Sequence, residues 1–258
     1  MTDWPAFAGF TITATLLLLG LVRATSVSTT LPTREEVEWL DALPDDADHL
    51  AAGDAVAPDR EPMDISSGAL FVNVLVSHGL FLVLLVGAAV YTAVSPGAFG
   101  LSVGLGEVAL GIGFGIALSV ANTAAGAVAE SMGYAPSEDL RALLAPESTG
   151  GWTLLLGGTL PLVAVFEESL FRGALVGAFA VGFGVSPWLL AVVSSAAFAL
   201  AHEVQGPAGV AVTGTLGFVL AAGYILTGSL LVVVIAHYLV NAVELVVFEG
   251  LGVELHGG

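Results

Sequence analysis

The chain contains no cysteine and no lysine. Without thiols it has no disulfide, zinc–thiolate or iron–sulfur site. Without lysine, five arginines supply all of the side-chain positive charge, too few for the basic footprint that nucleic acid requires. Charge is scarce altogether, at 11% of 258 residues, and it is one-sided: 23 acidic residues give a formal net charge of −18. Excess acid without lysine resembles the solvated surface of a halophile's protein, and a set of acidic loops would read the same way.

Hydrocarbon fills the space that charge leaves. Hydrophobic residues make up 56% of the chain, which indicates an integral membrane protein. Apolar runs cover residues 5–22, 68–94, 101–128, 152–183, 187–204, 207–227 and 229–249. The predicted fold is an all-α, polytopic bundle of about seven membrane helices, or eight if 152–183 is broken. Very short turns at Ser186-Pro187, Gln205–Pro207 and Thr227–Ser229 predict antiparallel neighbours. The run over 101–128 is rich in Gly and Ala, which allows close helix packing.

The organisation reads as N-terminal helices over 1–150 with a hydrophilic insertion at 24–67, a helical core over 151–249 and a short tail, 250–258. The insertion holds 11 of the acidic residues. Thr33 and Glu36 have capping-box spacing for a short helix there, and no chemistry is assigned to the segment. Asp3 stands where a signal peptide would be positive and no cleavage site follows, so the first run is expected to remain as a membrane helix. An N-terminus outside would put Arg23, Arg34, Arg60 and Arg141 on the cytoplasmic side, with the C-terminus cytoplasmic as well.

Polar groups inside these runs are the functional candidates, because a charge at mid-bilayer costs at least ~2.5–3.5 kcal/mol. Glu167, Glu168 and Arg172 form the first cluster. Residues four apart share a helix face, so Glu168 is expected to pair with Arg172, while Glu167 points about 100° away and is free for chemistry. The competing structural reading is an internal salt-bridge knot of all three. The second cluster is Phe198 with His202, the ring packing behind the imidazole. The third is His237 with Asn241, and Glu244 continues that face as a candidate orienting partner. Glu203 and Glu107 are placed at membrane edges. His78, with Asn73 in the second run, is read as a histidine packed against a partner rather than as a ligand.

A carboxylate beside an imidazole can activate water; a second imidazole and an amide can donate to a developing oxyanion. The three patterns, Glu-Glu-x-x-x-Arg, Phe-x-x-x-His and His-x-x-x-Asn, together resemble the CPBP family (CAAX-protease and bacteriocin-processing, or Abi, intramembrane endopeptidases), which includes the type II CAAX prenyl endopeptidase. The resemblance covers about residues 150–245. It implies an endopeptidase acting on a membrane-anchored peptide or protein within the lipid bilayer. Glu167 and His202 would activate water, and His237 and Asn241 would stabilise the oxyanion. Glu168, Arg172 and Phe198 would support them. The family has been described both as zinc-dependent and as metal-independent. Glu167, His202 and His237 would be an adequate zinc ligand set, but no His-Glu-x-x-His helix is present, and a mechanism without a cofactor is the first expectation.

Two readings from other classes compete. Membrane-buried Glu and His also build proton relays in transporters, which would be expected to show inverted repeats; none is visible. A catalytically silent scaffold or immunity protein on the same fold is the other. Depth sets a further test. If 152–183 is one helix centred on the midplane, Glu167 lies near mid-bilayer. His202 is then roughly 22 Å from the outer face at helical rise, and nearer the cytoplasm.

Overall fold

The computed structural model describes residues 1–28, 67–131 and 144–253. The capping-box segment around Thr33 and Glu36, and Arg34, Arg60 and Arg141, lie outside these residues. Among the described residues there is no strand. The helices are α1 (Trp4–Ser28), α2 (Ser67–Tyr91), α3 (Leu105–Ser131), α4 (Thr149–Phe183), α5 (Pro187–Leu200), α6 (Gly206–Thr227) and α7 (Leu230–Leu245), which a π turn prolongs to Gly250.

Six of the seven helices are long and apolar enough to cross a membrane. The exception is α5, of 14 residues. The apolar run to residue 204 predicts a longer helix, but the backbone leaves α geometry after Leu200 and makes a 3-10 turn at Glu203–Gln205. Hydropathy cannot see that exit, because His202 and its neighbours remain compatible with an apolar average. The run over 152–183 is a single helix, so it adds no eighth span. It contains two π segments, Leu155–Thr159 and Ser169–Ala178. Gly184 and Gly228 close α4 and α6 in left-handed conformation, with φ of 67° and 66°, the usual way for a helix to stop within a tight turn.

Burial separates the helices into two kinds. In α4, 56% of the apolar stretch is buried, and in α7 44%, against 11% to 22% for α1, α2, α3 and α6. The lipid-facing helices carry bare Leu and Val, such as Leu16, Val83 and Val120, and the two interior helices carry the first and third polar clusters. Close approach around α7 relies on small residues. A Cβ at Gly111 would sit 2.8 Å from Ile235 Cβ, and one at Gly115 would sit 3.0 Å from Ala236 Cα. These two glycines, one helical turn apart, let α3 lie directly on α7.

The ends of the bundle are pinned by a few bonds. Asp3 N–H donates to Thr92 O (2.9 Å), and Leu230 N–H donates to Gly100 O (2.9 Å), which ties α1 to the α2 exit and α7 to the loop before α3. At the opposite end Arg23 donates to Glu203 (2.7 Å). The 3-10 turn Pro96–Phe99 folds inward against the long π segment; a Cβ at Gly173 would meet Phe99 Cδ1 at 2.7 Å.

Candidate active site

The first polar cluster sits where α4 changes from α to π geometry. Glu168 is the last residue of Leu160–Glu168, and the π segment begins at Ser169. Such widened turns recur at functional sites. Glu168 and Arg172 are fully buried, and Glu167 is 9% exposed.

Glu168 is the hub of a sealed group. Arg172 Nη1 donates to its Oε1 (2.6 Å), and His237 Nδ1 lies 2.6 Å from the same oxygen. An ionised carboxylate only accepts, so Nδ1 of His237 carries the proton and Nε2 is turned outward. Arg172 spends its second arm on Gly217 O (2.8 Å), and its guanidinium carbon lies 4.6 Å from the centroid of Phe198. Removing two charges from water costs several kcal/mol per ion, and only additional hydrogen bonds repay it. The Gly217 carbonyl and the Phe198 face are such extra contacts, while Arg172 Nε and Glu168 Oε2 are buried with no hydrogen-bond partner among the described residues. Gly217 has to be small: a Cβ there would lie 2.9 Å from Phe198 Cδ1 and 3.3 Å from Arg172 Nη2.

Glu167 faces a different environment. Its Oε2 is 3.6 Å from His237 Nε2, and its Oε1 is 3.7 Å from His78 Nε2. It also interacts electrostatically with His202. Oε2 is buried with no hydrogen-bond partner among the described residues. Three imidazoles from α2, the α5 exit and α7 therefore surround one carboxylate on α4. The alternative in which Glu167 joins Glu168 and Arg172 in one hydrogen-bonded knot is not formed: Arg172 donates to Glu168 and Gly217.

His202 sits at the α5 exit, where its backbone has left the helix (φ −114°, ψ 23°). Its Nδ1 is 2.8 Å from Phe198 O. A carbonyl only accepts, so Nδ1 carries the proton and Nε2 is open. The Phe198 ring stacks 4.6 Å from the imidazole and 6.1 Å from that of His237. Phe198 thus touches His202, His237 and Arg172 at once.

The expected mismatch in depth does not arise. Glu167 and His202 stand almost equally far in sequence from the turn at Gly184–Ser186 that joins α4 to α5, so an antiparallel pair brings them level. Ser194 Oγ, which donates to Phe171 O (2.6 Å), fixes that register. Centring the hydrophobic run on the midplane ignored the turn as the common reference for both helices.

Asn241 follows His237 by one turn, is half-buried, and makes no hydrogen bond to the described residues. Its tie to the site is its place on the His237 face of α7. Glu244 does not orient His237, whose Nδ1 is taken by Glu168; it accepts from Asn122 of α3 (3.1 Å). Glu203, placed at an edge by the sequence, pairs there with Arg23. His78 is the residue whose place the sequence left open: nothing in the spacing along α2 shows that it will meet Glu167. The only local signal was an imidazole in the middle of an otherwise apolar span.

The same side chains include Glu167, His202 and His237, the candidate zinc ligands. Among the described residues no three His, Asp or Glu side chains are disposed to hold a metal ion.

No curated protein and no solved structure matches the chain. Residues 149–243, from the start of α4 through His237 and Asn241, match the family model described as type II CAAX prenyl endopeptidase Rce1-like. The match covers the stretch that carries all three polar clusters, and this similarity is consistent with a CAAX-type intramembrane protease of the CPBP family.

Proposed function

We propose that the protein hydrolyses a peptide bond of a membrane-associated, CAAX-like substrate through a water activated by Glu167, without a metal. The observation that carries this reading is the buried, unpartnered Glu167 Oε2 facing the outward nitrogen of His237 at 3.6 Å. That gap is too long for a direct hydrogen bond and suits a water that bonds to both.

Each group then has a definite task. Glu167, with His202, holds the water and takes its proton as oxygen attacks the scissile carbonyl carbon. Asn241 donates to the oxyanion, and His237 does so when its Nε2 is protonated. Collapse of the tetrahedral species breaks the C–N bond, and the proton held by Glu167 passes to the leaving nitrogen. Glu168 and Arg172 fix the tautomer and angle of His237, in the manner of a carboxylate behind a histidine. The water-excluding helices around the site strengthen these interactions.

The arginine at the end of α1 supports an orientation with that end cytoplasmic. It pairs with Glu203 beside His202, so in this orientation the His202 end of the site opens toward the cytoplasm. Both termini of the membrane region follow from it: the N-terminus outside, the C-terminus inside.

The test is cleavage of a prenylated CAAX-type peptide by purified protein in liposomes. Glu167→Ala and His202→Ala are each expected to abolish cleavage. Undiminished cleavage in both variants would end the assignment.

A further inference from the structure

His78 lies outside the three motifs and outside residues 149–243, yet it reaches the carboxylate on which the reaction depends. Its Nε2 is 3.7 Å from Glu167 Oε1. The ring stands edge-on to Phe166, centroids 5.1 Å apart, so the side chain next to Glu167 in sequence also sets its angle. The His78 side chain is 19% exposed, so the ring is not sealed into the core.

The far nitrogen of the ring distinguishes His78 from the other two histidines. In His237 and His202, Nδ1 faces groups that only accept, so the neutral ring presents a lone pair at Nε2. His78 Nδ1 has two neighbours, Val74 O at 3.1 Å and Ser77 Oγ at 3.2 Å. A hydroxyl both donates and accepts. Ser77 Oγ lies 3.2 Å from Val74 O as well as from Nδ1, so its one proton has two acceptors; when it goes to Nδ1, the neutral ring carries its own proton on Nε2, the nitrogen aimed at Glu167. Of the three imidazoles, His78 is the one whose Nδ1 has, beside a carbonyl, a hydroxyl able to donate to it, which opens the neutral tautomer with Nε2–H toward Glu167.

We propose that His78 is a positioning residue for Glu167, held by Ser77 so that its Nε2–H meets Glu167 Oε1 and turns Oε2 toward His237 and the attacking water. This rests on Glu167 being the base. The 3.7 Å separation exceeds a direct hydrogen bond and is of the kind that tightens when substrate closes the site. The catalytic carboxylate then depends on α2, a helix the family match does not include.

Two measurements test it together. In nanodiscs, the ring nitrogens of 15N-histidine-labelled protein report the tautomers, with resonances assigned by single His variants. His78 is expected to carry its proton on Nε2, and its Nε2 resonance is expected to move in Glu167→Ala. His202 and His237 are expected to carry theirs on Nδ1. In cleavage of a prenylated CAAX-type peptide, His78→Leu and His78→Asn are expected to lower kcat by about 10²-fold with KM unchanged, as misplacement of a catalytic group does. His78→Gln, whose amide nitrogen reaches the Nε2 position, is expected to recover at least about tenfold of that loss. A His78 proton on Nδ1 with a resonance indifferent to Glu167→Ala would overturn the proposal. So would a His78→Leu enzyme with wild-type kcat while Glu167→Ala is dead. If Glu167→Ala itself stays active, the base assignment falls first and the role of His78 falls with it.

Discussion

Glu167 and Glu168 are neighbours in sequence and live in opposite worlds. Glu168 is sealed: an arginine and a histidine share one of its oxygens at 2.6 Å each, and aromatic rings close the space around them. Glu167 is surrounded but not satisfied, with two imidazole nitrogens standing off at 3.6 and 3.7 Å. The difference follows from one helical step. It turns the first carboxylate toward the His78 and His202 side and the second into the contact between α4, α6 and α7. Each has one buried oxygen without a hydrogen-bond partner among the described residues; what differs is that Glu168 is clamped through its other oxygen and holds structure, whereas Glu167, clamped by nothing, keeps capacity for a proton.

The sharpest way to break that contrast is to neutralise each side separately. Glu167→Gln keeps the shape and removes the base. It is expected to lower kcat by ~10²–10⁴-fold while the thermal midpoint in detergent stays near wild type. Arg172→Met acts on the sealed side and leaves Glu168 as a buried, half-paired charge. A loss of about 3–5 kcal/mol of stability is expected, read as a lowered thermal midpoint. If the two variants showed the reverse pattern, the division between the carboxylates would be wrong.

A double substitution sharpens the same contrast. Glu168→Met with Arg172→Met replaces a buried ion pair by hydrocarbon of similar volume, which is often neutral or better for stability. Stability is expected to recover most of the Arg172→Met loss. Activity is not, because His237 Nδ1 has lost its acceptor. Thermal denaturation and peptide cleavage on one sample separate the two effects.

Smaller effects probe the packing behind the sealed side. Gly217→Ala pushes a methyl toward Phe198 and Arg172 and is expected to cost about 1–3 kcal/mol by overpacking. Since Phe198 also backs His202, kcat should fall with it. The smallest expected effect is that of a chelator. Cleavage by protein treated with EDTA is expected to match the untreated enzyme, and loss restored by added zinc would overturn the metal-independent reading.

Much of the architecture was legible because it depends on local properties. Apolar runs of membrane length mark their helices wherever they pack, and short Gly- and Pro-bounded turns leave adjacent helices no choice but to run antiparallel. The Glu168–Arg172 pair was legible for the same reason, since four residues is one helical turn. The end of α5 was not. The exit after Leu200 depends on how His202 bonds back to Phe198 O, and an average over apolar residues is blind to it. Glu244 misled because a shared helix face suggests a partner on the same helix, whereas Asn122 comes from α3.

By itself the sequence determined that this is a lipid-embedded helical bundle whose few intramembrane polar groups fall in three spaced clusters, because burial of charge in hydrocarbon leaves so few places for them. Only the tertiary structure decided that His237 shares Glu168 with Arg172, that His237 also faces Glu167, and that His78 joins them. Those outcomes depend on the rotation and register of helices distant in sequence, set by the bulk of residues such as Gly111, Gly115 and Gly217 at their contacts, and no periodicity along a single helix encodes the angle at which it meets another.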